Sequence, residues 1–231
     1  MSPRWGYVQA RAQARYAGLV DAALWRQLEP ARDLAGYLAE ARGTVLAPWL
    51  MGLTPASEPA EIERLLAERL VGLIQESAGW LDVSWGPALE WVRLLVRLPE
   101  IEAARREGRG IVEGAERLLD NLAQGETTLK QAWCAGWRER IPSLSRRAAR
   151  TMDDLAATLF DHSERFPQRG VRDAWRERAQ LDHRLRWLFR RATLQPAVVF
   201  CLLALVALQL ERLRAALLMR GVFSQVEATE A

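Results

Sequence analysis

The chain has 231 residues and a mass of 26.1 kDa, and half of its residues are hydrophobic, enough to bury a core and too many for a disordered chain. Its 32 basic and 29 acidic residues leave a net charge of +3, which is no nucleic-acid signature, so no nucleic-acid partner is expected. Cys134 and Cys201 make neither a disulfide framework nor a metal motif, which fits a reducing cytosol, and the opening MSPRWGYVQARAQAR lacks the apolar centre of a secretory signal.

In chain order, Trp5, Val8, Ala12, Tyr16, Leu19 and Ala23 recur every three or four residues, which predicts one long helix with Arg4, Arg11 and Arg15 off its apolar stripe. A second helix is expected over 31–42, carrying Leu34, Tyr37, Leu38 and Ala41, with Gly43 as a left-handed cap. Pro48, Pro55 and Pro59 then predict a loop. Over 58–77, Ile62, Leu65, Leu66, Leu70, Leu73 and Ile74 form one apolar face, and Ser57 is placed to cap the helix. A turn over 80–87 leads to a short helix over 87–98 that Pro99 should stop.

The run REGRG at 106–110 is the softest stretch. The chain therefore reads as a single all-helical body, divided, if at all, at Gly108 and Gly110 into lobes 1–107 and 111–231. Beyond that point, Leu129, Trp133, Trp137 and Ile141 mark a helix over 128–140, and Leu144, Ala148, Met152, Leu155 and Leu159 mark another after Pro142. Pro167 and Gly170 separate that helix from one over 171–191, which leads to the last, over 195–220. No stretch alternates with period two, so the expected fold class is all-α, a multi-helix assembly without a sheet.

The last helix begins AVVFCLLALVAL at Ala197 and then turns amphipathic. A spanning helix needs about 20 apolar residues, so this one is expected to pack in a core, with Pro196 in its first turn.

Charge is uneven along the chain. Residues 1–125 hold 14 Arg against 17 acids, whereas 126–195 hold 15 basic residues against 9. Much of the second excess sits in one helix, as Arg176, Arg178, Arg184, Arg186, Arg190 and Arg191, interrupted by Glu177 and Asp182. Such a run is either a solvated face or a surface for an acidic protein, lipid headgroups or phosphates.

Catalytic signals are missing. There is no GxxxxGK[ST] or GxGxxG loop to cradle phosphates, and His162 and His183 lack metal-site spacing. Asp153, Asp154, Glu61 and Glu63 sit within charged helical faces, where acids commonly pair with Arg. No catalytic residue, metal or cofactor is expected, and the chain is not read as an enzyme. The ten tryptophans include Trp85/Trp91 and Trp133/Trp137, spaced for helix packing.

At the N-terminus, Tyr7-Val-Gln-Ala-Arg11 followed by Arg15, Leu19, Trp25, Leu28, Leu34, Leu38 and Thr44 resembles the opening of the central-stalk C component of archaeal and bacterial V/A-type (vacuolar-type) ATPases, a relative of the d component of the eukaryotic V-ATPase. Near the other end, Glu211-Arg-Leu-Arg214 and then Arg220-Gly221 resemble that family's closing Glu/Leu-Arg run and its Gly-basic pair. The resemblance implies a funnel of helices that couples the rotor shaft, made of the D and F components, to the ring of membrane proteolipids for ion transport. It implies a place at the cytoplasmic face of the membrane, peripheral to it. Tyr7, Arg11, Arg15, Glu211, Arg214 and Arg220 would then be structural, and the Arg-rich helix a partner surface. The runner-up is a free-standing helical adaptor or regulatory module that binds another protein through Trp-rich grooves.

Overall fold

The computed structural model describes residues 3–108, 115–123, 128–165 and 171–229. Among them every regular element is helical: α1 (Pro3–Ala17), α2 (Ala22–Leu28), α3 (Leu34–Ala41), α4 (Pro59–Ala78), α5 (Gly86–Arg106), α6 (Glu116–Ala123), α7 (Leu129–Arg140), α8 (Arg146–Arg165), α9 (Val171–Arg191) and α10 (Ala197–Thr229). Short 3-10 turns, Ala47–Trp49 and Val83–Trp85, precede α4 and α5. The protein is all-α. No helix of the described residues is long and apolar enough to cross a membrane.

The fold consists of two compact units, Met1–Arg11 with Val71–Cys201, and Ala12–Leu70 with Leu202–Ala231. Of the segment 108–110, where the sequence suggests a division, only Gly108 lies within the described residues. It follows α5 in a left-handed conformation, φ 64°, and α5 and α6 on its two sides belong to the first unit.

In the first unit five tryptophans and Phe200 make a continuous aromatic array. Trp5 meets Trp85 edge-on with ring centroids 6.5 Å apart, and Trp85 lies 5.8 Å from Phe200. Trp137 meets Phe200 edge-on at 5.3 Å and stacks on Trp133 at 5.7 Å. Trp91 and Trp133 close the array reciprocally: each indole N–H donates to the other residue's backbone carbonyl, at 2.7 and 3.0 Å. Each of these bonds satisfies the one polar atom of its indole. At the α9–α10 turn Leu194 adopts φ 57°, rare for a residue with a side chain, and its N–H donates to the buried Gln9 Oε1 at 2.9 Å. Pro196 lies one residue before α10.

In the second unit, Trp25, Leu28, Leu34, Leu38, Leu50, Ile62, Leu66, Leu213 and Leu217 are buried together with Tyr37. Two polar side chains of α10 fasten the N-terminal elements to it. Gln209 behaves like a strand residue toward Val20, its Oε1 accepting the Val20 N–H at 3.0 Å while its Nε2 donates to the Val20 carbonyl at 2.9 Å. Arg220 donates to the carbonyls of Leu28, Glu29 and Ala31 at 3.3, 3.2 and 2.7 Å, where α2 ends and its carbonyls have no helical partner.

Several sequence expectations are corrected. The first apolar stripe is not one helix: α1 stops at Ala17, Gly18 and Leu19 turn back on Arg15 and Tyr16, and Asp21 caps α2 by accepting the Leu24 N–H at 2.8 Å. A glycine and a capping aspartate outweigh a periodicity that runs on by coincidence, and Ala23 is exposed. The second helix starts at Leu34, not 31, because Asp33 accepts the Gly36 N–H at 2.7 Å. Gly43 is not left-handed. Thr44 makes that turn, its hydroxyl donating to the Ala41 carbonyl at 2.7 Å and accepting the Leu46 N–H at 3.1 Å. Ser57 does not cap α4, since its Oγ takes the Thr54 N–H at 2.9 Å.

Pro99 does not stop α5, which continues to Arg106. An interior proline costs about 3 kcal/mol. Burial of Leu94, Ile101 and Ala104 on either side supplies a comparable gain, at about 1.5–3 kcal/mol for each large aliphatic side chain. α6 lies where no helix was expected, and α10 extends past 220 to Thr229.

Two buried acids of high pKa bear on alkaline stability. Burial pushes the Cys201 thiol from 9.0 up to about 12. The Tyr37 phenol rises from 10.0 to about 12, again through burial, although the charges of Arg220 and Arg212 pull it down. A raised folded value means that each group favours folding below its unfolded pKa and that this contribution is lost as pH rises through the folded value. The urea midpoint is expected to fall steadily between pH 9 and pH 12. Tyr37→Phe should flatten the part above pH 10 and Cys201→Ala the part above pH 9; unchanged profiles in both variants would contradict the assignment.

Candidate functional site

The Arg-rich run predicted from sequence lies on α9, which packs against α8. Arg191 approaches Asp154 at 3.8 Å, while Thr158 and His162 of α8 share a small cleft with Glu177, Gln180, Leu181 and Arg184 of α9. Ascending α8 thus corresponds to descending α9, an antiparallel pair. Leu181, Leu185, Leu188 and Phe189 bury one face of α9. The spacing that buries them leaves Arg176, Gln180, His183, Arg184, Trp187, Arg190 and Arg191 exposed.

The six arginines are not equivalent. Arg176, Arg184 and Arg190 are exposed, and Arg178 is half-buried. Arg186 is half-buried and donates to Asp182 one turn earlier at 2.6 Å, so its charge is largely neutralised within the helix. Arg191 lies 4.9 Å from the centroid of the Trp187 ring, in addition to its approach to Asp154. Trp187 itself is 49% exposed, the one large hydrophobic residue of α9 so placed among the described residues. A solvent-facing indole beside guanidinium groups is the composition that concentrates binding energy in protein interfaces. Sequence reasoning named the arginines and passed over Trp187. The signal was available: 181, 185 and 188 share one face, and 187 falls off it.

The residues carrying the family resemblance divide between the two units, Tyr7 and Arg11 in the first and the others in the second. Tyr7 is 54% exposed, and Arg15 is also exposed. Arg11 donates to Glu76 at 2.8 Å and lies 5.5 Å from the Trp80 ring centroid, within the first unit. Glu211 is half-buried in α10, and Arg214 pairs with Glu63 at 2.8 Å in the second unit. Arg220, besides its three carbonyls on the α2 side, lies 4.4 Å from the Tyr37 ring centroid.

His183 is exposed, and no group of three or more His, Cys, Asp or Glu that could hold a metal converges among the described residues. The chain matches no family model, no curated protein and no solved structure.

Proposed function

We propose that this protein is a non-catalytic coupling component of a V/A-type rotary ATPase, joining the D and F components of the shaft to the proteolipid ring. The observation that carries the proposal is the convergence of the two ends of the resemblance. Trp25, Leu28, Leu34 and Leu38 from the N-terminal motif and Arg214 and Arg220 from the C-terminal one lie in the same compact unit. Arg220 hydrogen-bonds directly to the backbone of Leu28. That contact between motif residues so distant in sequence supports a shared architecture over chance. In this role the chain works at the cytoplasmic face of the membrane, attached through partners.

The exposed face of α9 is the docking surface in this reading, offering Trp187 with Arg184 and Arg190 to an acidic partner. The same face also favours the second reading, a free-standing adaptor. Affinity-tagged protein expressed in its native host is expected to co-purify with the shaft and the proteolipid ring. Trp187→Ser combined with Arg190→Glu should weaken that capture at least tenfold without lowering the melting temperature. An intact, fully assembled ATPase that lacks this chain would overturn the coupling role and leave the adaptor.

A further inference from the structure

The first unit contains a half-open cavity of about 570 Å³ that the coupling role does not use. Its distinctive feature is four arginines brought together from three helices: Arg93 and Arg97 of α5, Arg117 of α6 and Arg140 at the end of α7. Pro87, Leu94 and Trp91 supply an apolar wall. Like charges do not gather around one cavity without cost, and places where a fold accepts such a cost are commonly binding sites.

Arg140 shows the cost most clearly. Its side chain is only 15% exposed, and its guanidinium lies 3.8 Å from the centroid of the Trp91 ring. Burial lowers its pKa, the charge of Arg117 lowers it further, and Glu139 opposes both. Nη1 donates to the Gly136 carbonyl at 2.6 Å, which holds the side chain in place and leaves most of its five N–H donors for other partners. Glu139 comes no closer than 3.7 Å.

The acids of α5 do not close the site. Glu90 and Glu116 also line the cavity. Glu90 accepts from Arg93 at 2.7 and 3.0 Å and Glu100 accepts from Arg97 at 3.1 Å, but both pairs are single-turn pairs on α5 whose glutamates are mostly exposed. Solvated pairs of this kind are worth little, so a tighter anion can displace them.

We propose that this cavity binds a phosphate ester, with Arg117 and Arg140 as the principal contacts and Arg93 and Arg97 closing on the same group. Guanidinium forks match phosphoryl oxygens two at a time, which a carboxylate offers only once. The volume lies within the range of small-molecule sites and exceeds what a bare phosphate fills, so the ester's organic part rests on the Pro87, Leu94 and Trp91 wall. The proposal does not depend on the coupling role.

The test is calorimetric titration of the full chain at fixed ionic strength with inorganic pyrophosphate and with glycerol phosphate, and flotation with phosphatidylcholine vesicles with and without phosphatidic acid. Saturable binding of the soluble phosphates is expected, with at least a tenfold loss in Arg117→Ala and no loss in Arg176→Ala, an equally basic position on α9. Arg117 is exposed, so that variant should keep the wild-type melting temperature. Phosphatidic-acid-dependent flotation lost in Arg117→Ala, without soluble binding, would assign the ester to a lipid headgroup. Absence of both, or equal losses in the Arg117 and Arg176 variants, would overturn the site.

Discussion

Replacing Arg220 with methionine is expected to destabilise the second unit by about 3 kcal/mol. Its guanidinium makes three hydrogen bonds to carbonyls beyond its own helix and a fourth, at 2.9 Å, to Ala216 within it. A helix ends with carbonyls that lack intrahelical donors, and α2 is only seven residues long, so a substantial share of its hydrogen bonding lies at that end. The cation also sits where the helix dipole is negative. A charged donor contributes about 1.5–3 kcal/mol per hydrogen bond, reduced here because some of these carbonyls are partly exposed to water. Lysine keeps the charge but not the fork or the guanidinium placed over the Tyr37 ring, so Arg220→Lys should recover about half of the loss. Urea unfolding followed by far-ultraviolet circular dichroism, with amide exchange of residues 29–34 to report the second unit, measures both. Arg214→Ala is the control: its pair with Glu63 is half-exposed on both sides and should change stability by less than about 1 kcal/mol.

That contrast bears on what the sequence makes legible. Arg214 and Arg220 enter the family pattern as equals, yet one is a surface ion pair and the other a multi-point latch. Spacing identifies the residue type that can form a latch; only the path of the chain between Leu28 and Ala31 decides which arginine does. Element type was readable almost everywhere, because apolar residues recur at helical intervals in α4, α7, α8 and α10 and nothing alternates. Element ends were less so. Gly18, Asp21 and Asp33 carried the true boundaries near the N-terminus, but the apolar stripe running past them was the louder signal. At Pro99 the error ran the other way, a local breaker being overruled by burial on both sides.

The candidate sites show the same limit. The α9 arginines were visible as a run, whereas the exposed indole between them shows only when the helical spacing of Leu181, Leu185 and Leu188 is read alongside it. The four-arginine cavity was illegible, since Arg93 and Arg97, Arg117 and Arg140 come from three helices and one of those, α6, was not anticipated. Gln209 was a quieter clue: an amide ending an apolar run needs partners, and Val20 supplies both.

Truncating Trp133 to alanine should cost the first unit about 4 kcal/mol, within the range for removing a large buried aromatic. Its side chain stacks on Trp137 and donates to the Trp91 backbone carbonyl, and both contacts are lost, whereas the Trp91 indole keeps its acceptor because alanine retains the backbone carbonyl at 133. Phenylalanine separates the contributions. Trp133→Phe keeps a ring against Trp137 but has no N–H, and the Trp91 carbonyl lies within α5, where a helical amide can still serve it. The expected loss is therefore nearer to about 1–2 kcal/mol. Trp91→Phe removes the mirror-image bond and also alters the ring beneath Arg140. Because the two bonds hold the same pair of helices at the same separation, either deletion loosens the other. The double Phe variant should then lose less than the sum of the singles, a coupling of about 0.5–1 kcal/mol in a double-mutant cycle. The stacked rings of Trp133 and Trp137, 19° from parallel, should also give an exciton signal in circular dichroism that disappears in Trp133→Ala and Trp137→Ala and survives in Trp91→Phe. Strict additivity, or an exciton signal insensitive to Trp133, would mean that the α5–α7 contact is held by its aliphatic residues and that the reciprocal indole bonds are incidental to it.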